Sequence, residues 1–532
     1  MVDNKNNHPT YDFVIVGSGF GGSVSALRLS QKGYRVLVIE KGAWFKDNTY
    51  AKNAWNLRKW LWMPRLGLRG IMKMTVLRHV TVYSGVGVGG GSLTYGATLP
   101  TPKSSFFKSG SWSELQDWEQ VLKPFYAEAM RMLGATTNPT LTDADRVIED
   151  LAIQLGKEKN FQPSRVGVFF SDKGQQGSFV ADPYFGGEGP ERKGCVECGG
   201  CMTGCRHNAK NTLDKNYLYL AQKLGAKIAA EREVTDVMPA GSSDGRDGYF
   251  VSLKSSKPYG KLNSDVILTK GVVFAGGVLG TVPLLLNLKA SHSLRHLSPQ
   301  LGADIRTNNE TVTNVTSSNE NLNFAQGVTI GSVLNIDENS HVEPINHNSR
   351  SGFMRFLSAP SVQGESFIAR LASFIALMMK EPRQHFRVLF ARNWGKRTIM
   401  LLFMQHLDST LKLKRGFGGV LQSSEGDGPV PSRTIPESQA VTREVEQLVD
   451  GKATTGITEA LFGTPSTAHI LGGAVMGATV QEGVINDKCE VYGYRNMWVC
   501  DGSAVSANPG VNPSLSITAI SEWAMSHIPH RN

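Results

Sequence analysis

The sequence predicts an α/β protein, and two observations support this prediction. Residues 11–42 read as a strand, a glycine turn, a helix and a second strand that ends in an acid. Much later, VILTKGVVFAGGVLGTVPLLL places another strand and glycine turn around Gly276 and Gly277. Because a strand–turn–helix–strand unit is the building block of the Rossmann-type fold, we expect one such domain together with a second, α+β domain.

The first glycine turn has the G-x-G-x-x-G spacing, formed by Gly17, Gly19 and Gly22. Gly17 permits the tight turn, Gly19 lets the backbone approach a pyrophosphate, and Gly22 lets the helix pack on the strand. The N-terminus of that helix offers free N–H groups to phosphates. Glu40 closes the second strand, where it can accept hydrogen bonds from ribose hydroxyls. The unit predicts a bound dinucleotide but does not separate FAD from NAD.

Size and composition indicate a large globular enzyme. The chain has 532 residues, 57 of them glycine, which is long enough for two or three domains. Its net charge of +10 suits an anionic membrane surface or an acidic partner protein, and no basic block or motif indicates nucleic acid. Met1–Thr10 is polar and no run approaches about 18 apolar residues. We therefore expect a cytoplasmic protein with no membrane span, in peripheral contact with a membrane at most.

Further motifs follow in order along the chain. Residues 85–96 read GVGVGGGSLTYG, His469 lies in TAHILGG, Asp501 begins DGS, and Asn508 begins NPGVNPSLSITAISEWA. With these motifs the chain resembles the glucose–methanol–choline family of flavin oxidoreductases, and the cholesterol oxidase-like branch is the nearest match. The resemblance covers most of the chain and depends on separated motifs in the family's order.

The resemblance implies FAD rather than NAD, with cofactor contacts in three segments. The implied residues are Gly17, Gly19, Gly22 and Glu40, then Gly89, Gly90 and Ser92, then Asp501, Gly502 and Asn512. Relatives often carry Asn-Gly where this chain has Tyr95-Gly96. A contact made by that Asn side chain is therefore not carried over to this chain.

His469 and Asn512 resemble the family's pair beside the flavin, and the resemblance implies that they are catalytic. Oxidation of an alcohol to a carbonyl removes the hydroxyl proton and transfers a hydride from carbon to flavin N5. A neutral imidazole can accept that proton or position the hydroxyl, because its pKa lies near working pH. The amide can hold the same oxygen by a hydrogen bond.

Four of the six cysteines, Cys195, Cys198, Cys201 and Cys205, form a C-x2-C-x2-C-x3-C run. Three interpretations stay open: a [4Fe–4S] or related iron–sulfur cluster, a zinc site, or reduced or disulfide-linked structural cysteines. A cluster would let electrons leave the flavin singly toward an acceptor protein. The protein would then be a dehydrogenase rather than an oxygen-using oxidase.

The cofactor motifs lie at both ends and in the middle of the chain, so we expect interleaved domains. The predicted FAD-binding domain comprises residues 1–110, 195–233, 265–300 and 464–532, with a cysteine loop at 195–205. The predicted substrate-binding domain comprises residues 111–190 and 301–463. Residues 234–268 alternate like strands and include a polar hairpin turn, GSSDGRDG.

Two segments combine aromatic with basic residues and indicate an apolar substrate or contact with a membrane surface. Residues 54–74 carry Trp55, Trp60 and Trp62 among arginines and lysines, and residues 367–408 show a similar mixture. Amphipathic rings and long cationic side chains suit an interfacial lid. For the second segment, the alternative is a pair of amphipathic core helices separated at Pro382.

Together these observations predict FAD-dependent oxidation of a hydroxyl group on a large apolar substrate, with sterols or steroids as the leading class. One alternative is a long-chain alcohol or other lipid dehydrogenase. Another is an electron-transfer or redox-sensing flavoprotein, against which the intact His469 and Asn512 count. Glu338, Glu343 and Glu365 are carboxylates that could move a double bond, and no motif favours one of them.

Overall fold

The structure is a computed structural model that describes residues 11–172, 174–257, 265–360, 362, 364, 366–380, 382–432 and 434–531. Two features discussed from the sequence, Met1–Thr10 and Glu365, lie outside the described residues.

The first strands in chain order are β1 (Tyr11–Val16), β2 (Val36–Glu40), β3 (Trp62–Met63), β4 (Leu68–Arg69), β5 (Met72–Val76), β6 (Thr81–Gly85), β7 (Thr136–Thr137), β8 (Phe161–Pro163), β9 (Arg165–Val166), β10 (Phe179–Val180), β11 (Arg192–Lys193), β12 (Lys227–Ala230) and β13 (Arg232–Pro239). The strands continue with β14 (Tyr249–Ser255), β15 (Asp265–Phe274), β16 (Thr311–Ser317), β17 (Ser332–Asn335), β18 (Ser340–Ile345), β19 (Ser358–Pro360), β20 (Thr398–Gln405), β21 (Leu411–Arg415), β22 (Leu421–Glu425), β23 (Gly451–Gly456), β24 (Ser466–Thr467) and β25 (Met497–Val499).

The helices are α1 (Phe20–Gln31), α2 (Leu57–Trp60), α3 (Ser104–Phe107), α4 (Trp118–Met132), α5 (Asp143–Gln154), α6 (Tyr217–Lys223), α7 (Val278–Ala290), α8 (Phe367–Lys380), α9 (Pro382–Leu389), α10 (Trp394–Arg397), α11 (Pro436–Leu448), α12 (Ile457–Phe462) and α13 (Ser514–Ser526). Local signals start several of them. Asp117 caps α4 by accepting from Gln120 N, and Thr142 with Asp145 forms a capping box at α5.

The first sheet contains, within the described residues, seven strands in the order β12-β2-β1-β15-β14-β13, with β25 also paired to β15. The pairs among β12, β2, β1, β15 and β25 are parallel, and β14 and β13 continue the sheet as antiparallel strands. β2 is buried throughout, as expected for a parallel strand between layers of helices. α1 packs against α6 and α13, and α13 packs against α4. The predicted Rossmann-type α/β architecture is confirmed.

The second sheet is antiparallel, with the strand order β19-β23-β16-β20-β18-β17-β8. Its central strand β20 is buried along its whole length and has two different faces. Ile399, Leu401 and Phe403 pack into a core with residues of α5 and α11. Met400, Leu402 and Met404 point the other way because side chains alternate along a strand, and they form a second apolar cluster.

The predicted domains can be compared with these sheets element by element. Every strand of the second sheet falls within the ranges expected for substrate binding. β13 and β14 extend the first sheet beyond the ranges expected for FAD binding. α4 was expected with the substrate-binding residues, but it packs on α13 and contributes to the first core. The boundaries themselves stay a prediction.

α8 and α9 lie outside both cores. Within α8, Arg370 is the buried residue, whereas most of the apolar side chains are exposed or half-buried. The alternative of two amphipathic core helices therefore does not describe α8 and α9, and the end of the same segment forms the buried strand β20. In the part of the chain that the structure describes, no helix is both long enough and apolar enough to cross a membrane.

Candidate active site

The first glycine turn has the conformation that its spacing predicts. Gly17 lies at φ +106, and a Cβ there would meet Ala275 O at 2.3 Å. A Cβ at Gly22 would meet Gly17 O at 2.1 Å, because α1 crosses close to the turn. At Gly19, by contrast, no atom of the described residues lies within 4 Å of the Cβ position. The backbone at the start of α1 therefore faces open space of the kind a pyrophosphate requires.

Glu40 ends β2 and lines the same cavity. Its Oε2 accepts a hydrogen bond from Ser18 Oγ at 2.8 Å, and its Oε1 accepts one from Gly42 N at 2.8 Å. Ser18 Oγ also accepts a hydrogen bond from Gly89 N at 3.1 Å. The carboxylate and Ser18 thus connect the first glycine turn with the second glycine loop.

The second glycine loop contacts the first. A Cβ at Gly90 would meet Gly19 Cα at 2.7 Å, so the second loop can approach the first this closely only with glycine at position 90. Ser92 Oγ donates to Gly89 O at 2.7 Å and accepts from Leu213 N at 3.1 Å. Gly90 lines the cavity, whereas Gly89 and Ser92 lie behind it and fix the shape of the loop.

Tyr95 and Lys210 hold the far end of this loop. Tyr95 donates its hydroxyl proton to Asn211 O at 3.0 Å and lines the cavity. The buried Lys210 ammonium donates to Leu93 O, Tyr95 O and Cys201 O at 2.9, 3.1 and 2.7 Å. These three bonds use all its protons, so Lys210 has a structural role that the sequence did not suggest.

Asp501 joins the C-terminal segment to the glycine turn that follows β15. Its Oδ2 accepts from Gly277 N at 2.8 Å and from Thr281 Oγ1 at 2.5 Å. Its Oδ1 accepts from Ser503 N at 2.8 Å and from the Ser503 hydroxyl. Asp501 therefore orders two segments that line the cavity, in addition to lining it together with Gly502.

These segments enclose a cavity of about 690 Å³. Predicted residues that line it are Gly17, Gly19, Glu40, Gly90, His469, Asp501, Gly502 and Asn512. Charged side chains of its wall come from β2, β5, β13, β14 and the C-terminal segment, and an apolar group comes from β18 and β20. The glycine loops fit FAD, because they leave room where a dinucleotide needs close backbone approach.

His469 and Asn512 meet in this cavity. His469 Nε2 lies 3.4 Å from Asn512 Nδ2, which also donates to Glu343 Oε2 at 3.3 Å. His469 Nδ1 lies 2.5 Å from Glu310 Oε2. Asn512 Oδ1 is buried and has no hydrogen-bond partner among the described groups. An imidazole and an amide with spare polar capacity are thus available to a hydroxyl group.

Charge and burial determine the pKa values of the histidine and glutamate side chains at this site. Burial lowers the pKa of His469, but the charge and hydrogen bond of Glu310, with the charge of Glu343, outweigh it and raise that pKa above its ordinary value. Burial raises the pKa of Glu343 to about 7, against the opposing effects of His469 and Asn512. Burial lowers the pKa of His341, whose Nε2 lies 3.8 Å from Glu343 Oε1, to about 3.

Sequence reasoning missed Glu310 and left Glu343 unassigned. Glu310 is buried beside Ala468 N, which donates to its Oε1, and lies 159 positions from His469 in the chain. It stands in Asn-Glu-Thr with no motif around it, so no local signal could have found it. Of the three candidate acids, Glu343 is at the site, Glu338 is exposed, and Glu365 lies outside the described residues.

The four cysteines are free thiols, with Cys201 buried and the others half-buried. No group of three or more His, Cys, Asp or Glu side chains in the described residues is arranged to hold a metal ion. The predicted iron–sulfur or zinc site therefore gains no support from the structure. Burial, helped by Cys201, raises the pKa of Cys198 to about 11. The cysteine loop at 195–205 also contacts the segment that precedes β17, because Gly199 N donates to Gly327 O at 3.0 Å.

Comparison with known proteins shows the family to which the chain belongs. Two family models described as GMC oxidoreductase match residues 11–306 and 394–521. A cholesterol oxidase of Acinetobacter baumannii is 41% identical, covering 99% of this chain and 96% of the relative. A cholesterol oxidase of Mycobacterium tuberculosis is 42% identical, covering 98% of this chain and 92% of the relative.

Two more distant likenesses extend the comparison. A long-chain-alcohol oxidase of Arabidopsis thaliana is 26% identical, covering 95% of this chain and 65% of the relative. The crystal structure of pyridoxine 4-oxidase from Mesorbium loti matches with a TM-score of 0.61 and 14% identity, covering 98% of this chain and all of that one. At that identity the likeness shows the fold alone.

Proposed function

The chain belongs to the GMC oxidoreductase family and is an FAD-dependent alcohol oxidoreductase, and we propose that its substrate is a large apolar alcohol of the sterol or steroid class. The observation that carries the proposal is the apolar wall beside Asn512. Glu343, which accepts from Asn512, pairs with Leu402 across β18 and β20, and Leu402 and Ile345 line the cavity. Burial of fused apolar rings against such a wall contributes about 25 cal/mol of binding free energy per Å² of apolar surface removed from water.

His469 is placed to accept the hydroxyl proton. With its Nδ1–H directed at the Glu310 carboxylate, Nε2 presents its lone pair to the cavity. Asn512 Nδ2, now 3.4 Å from that nitrogen, can donate to the alcohol oxygen. FAD, when bound, supplies the acceptor for the hydride that leaves the alcohol carbon. Once Nε2 holds the proton, the buried Glu310 carboxylate stabilises the imidazolium.

Two other functions compete with this proposal. The likeness to a long-chain-alcohol oxidase favours a long-chain alcohol, which the same apolar wall could bind. An electron-transfer or redox-sensing flavoprotein would not need an alcohol site, and the arrangement of His469, Asn512 and Glu310 counts against it.

Product analysis separates these functions. FAD-loaded protein would be given cholesterol, a long-chain primary alcohol and a short primary alcohol in the same detergent, and the carbonyl products measured by mass spectrometry. We expect the sterol ketone to form with kcat/KM at least about 10-fold above that of the long-chain alcohol. Faster aldehyde formation from the long-chain alcohol would assign that class instead, and no product from any alcohol would favour the electron-transfer function.

Glu343 supports a second step at the same site, movement of a double bond in the oxidised product. Its pKa of about 7 leaves a working fraction of carboxylate, which could take a proton from one carbon and return it to another without net oxidation. Supplied directly with an unconjugated sterol ketone, wild-type protein should give the conjugated ketone, and Glu343→Gln should not. Equal conversion by both would remove Glu343 from that step.

The iron–sulfur hypothesis for the four cysteines stays a prediction of the sequence. If the cysteines hold a cluster, anaerobically purified protein should contain stoichiometric iron and sulfide. Such protein should also turn over faster with one-electron dyes than with oxygen. Protein that contains zinc, or no metal, would contradict it and would favour oxygen as the acceptor.

A further inference from the structure

The cysteine loop at 195–205 contributes one side chain to the wall of the cavity. Met202 lies in the short turn Cys201–Thr203 and lines the cavity together with His469 and Asn512. The structure describes every residue of the loop, and no other residue of the loop lines the cavity. The contact between the cysteine loop and the site of oxidation is therefore this methionine.

Hydrogen bonds hold the turn that carries Met202 at its start. Cys201 O accepts from Lys210 Nζ at 2.7 Å, and the same ammonium holds the second glycine loop. Just before the turn, Gly199 N donates to Gly327 O at 3.0 Å, and Gly327 N donates to Glu197 O at 2.9 Å. The backbone on this side of Met202 is thus tied to two other segments of the chain.

The end of the turn is confined by packing. Gly204 lies at φ +94, and a Cβ there would meet Tyr50 Cδ1 at 2.1 Å. Tyr50 is itself buried, in one apolar cluster with Ile71 and Leu93. Because the backbone is held on both sides of Met202, a change of its side chain should alter the cavity rather than the course of the loop.

The Met202 side chain packs against two separate apolar clusters. The β18–β20 cluster consists of Ile330, Ile345, Met400, Leu402 and Met404. The Trp60 cluster consists of Ala51, Ala54, Trp60 and Met72. Among the described residues, Met202 alone packs against both clusters.

Both clusters contribute to the cavity wall on either side of this junction. Ile330, Ile345 and Leu402 of the β18–β20 cluster line the cavity, and so does Met72 of the Trp60 cluster. Met202 is half-buried, and an unbranched thioether fills gaps of irregular shape. The size of the side chain at position 202 therefore sets how much space beside the apolar wall is left for a substrate.

We propose that Met202 determines which shape of apolar alcohol the cavity accepts, a rigid fused-ring alcohol or a linear one. Fused rings cannot change shape to pass a larger side chain, whereas a linear chain can do so by rotation about its single bonds. A smaller side chain would instead leave a gap beside a linear chain. This inference rests on the proposed function and deepens it, because it concerns the substrate of the same site.

Met202→Phe tests the first half of the inference. FAD-loaded protein would be mixed rapidly and without oxygen with increasing cholesterol or long-chain primary alcohol, and flavin reduction followed. We expect the apparent Kd of the sterol to rise at least about 10-fold and that of the linear alcohol to stay within about threefold. The limiting rate should change little for either alcohol, because His469 and Asn512 are untouched.

Met202→Ala tests the second half with the opposite preference. The apparent Kd of the linear alcohol should rise at least about 5-fold, while that of the sterol should stay within about threefold. Matched controls are Met130→Phe and Met130→Ala, at a half-buried methionine of α4 outside the cavity wall, and both should bind either alcohol as wild type does. Retained flavin absorbance and melting temperature would show that each variant is folded.

A saturated steroid ketone separates this inference from the proposed function. It has no hydroxyl group to oxidise and no double bond to move, so its binding can be measured from the shift of flavin absorbance without turnover. We expect its Kd to be at least about 10-fold higher for Met202→Phe than for wild type and Met130→Phe. That result in a protein that oxidises no alcohol would contradict the proposed function but support the role of Met202.

Three results would overturn the inference. The first is equal Kd values of the ketone for wild type and folded Met202→Phe. The second is a Met202 variant that weakens the sterol and the linear alcohol equally, because shape would then not be what the residue selects. The third is wild-type protein that does not bind the ketone at all.

Discussion

In the proposed mechanism, Glu310 determines which nitrogen of His469 acts as the base. Its carboxylate, buried 2.5 Å from Nδ1, favours the tautomer with hydrogen on that nitrogen and leaves Nε2 free to accept a proton. It also raises the pKa of the imidazole above the value that burial alone would give. The base form of His469 is therefore lost at a higher pH, as the solution is acidified, than it would be without Glu310.

Glu310→Gln should change both rate and pH dependence. The variant removes the charge but keeps the shape, so the pKa of His469 should fall and the acid limb of flavin reduction by alcohol should move to lower pH. On the plateau, we expect reduction to slow by about 10- to 100-fold, because the imidazolium loses its counter-charge. Rapid-mixing measurements across pH check both effects.

Glu459→Gln is the matched control for that variant. Glu459 is a half-buried acid whose pKa is raised by burial to about 7, but it accepts from Thr311 rather than from His469. It should leave the acid limb in place. An unmoved acid limb in Glu310→Gln would show that the carboxylate does not control His469.

His469→Ala should keep FAD and lose the proton acceptor. Flavin reduction by alcohol should slow by about 10²- to 10⁴-fold, the usual contribution of a positioned acid or base. His530→Gln, at an exposed histidine near the C-terminus, serves as control and should reduce flavin at the wild-type rate. Reduction of His469→Ala at an undiminished rate would remove this residue from the mechanism.

The site shows what local sequence can and cannot predict about single residues. His469 and Asn512 were found because each stands in a motif of several residues. Glu310 stands in none, and it meets His469 only because the start of β16 lies beside the segment that follows β24. Such a long-range contact depends on how the second sheet folds, which no local pattern encodes.

At the scale of elements, the three glycines of the first glycine turn have different roles. Gly17 and Gly22 allow close packing of protein on protein, so their effect is on folding. Gly19 has ordinary φ and open space at its Cβ position, so its effect is on what approaches from the cavity. The sequence motif groups these glycines together, and the structure separates their roles.

Gly19→Ala should therefore fold normally but bind FAD poorly. The added methyl group meets nothing in the protein, whereas it would occupy the close approach of the pyrophosphate, and we expect affinity to fall at least about 10-fold. Titration of apoprotein with FAD measures this. Gly456→Ala is a suitable control, because φ is −57 there and the new Cβ would meet only Ser466 Oγ, at 3.7 Å. Equal FAD affinity in both variants would contradict the assignment.

Secondary-structure elements were predicted best where the spacing of apolar residues and the turn residues at the ends of the element indicate the same structure. The β1–α1–β2 unit could be read directly, because buried strands flank a glycine turn and a helix. The position of α8 could not be predicted in this way. An amphipathic helix has the same spacing of apolar residues whether its apolar stripe faces a core or a membrane. Only packing against α12 shows that the stripe faces outward.

At the scale of the whole molecule, the proposed catalytic residues come together where the two sheets meet. Glu310 immediately precedes β16 and Glu343 lies in β18, and both strands belong to the second sheet. Asn512 precedes α13, which packs on α1 and shares the core of the first sheet. Asn308 Nδ2 donates to Val511 O at 2.9 Å, and Asn508 Nδ2 donates to Leu407 O at 2.7 Å, so the C-terminal segment is tied across this junction.

Binding of FAD should therefore stabilise the whole chain. A ligand held by segments from the start, middle and end of the chain binds the folded state alone, and at 100 times its Kd it contributes about 2.7 kcal/mol. The melting temperature of apoprotein should rise with added FAD until the site is saturated. Gly19→Ala should require more FAD for the same rise, and a melting temperature independent of FAD would contradict this arrangement.

The most direct test of the central claim, that this FAD-dependent enzyme oxidises a large apolar alcohol at His469 and Asn512, is a single anaerobic turnover. FAD-loaded protein would be mixed with a sterol without oxygen while the visible flavin absorbance is followed. We predict rapid loss of that absorbance with one equivalent of ketone formed, in the wild type but only slowly in His469→Ala. A flavin that stays oxidised with the sterol, or that is reduced equally fast in both proteins, would contradict the claim.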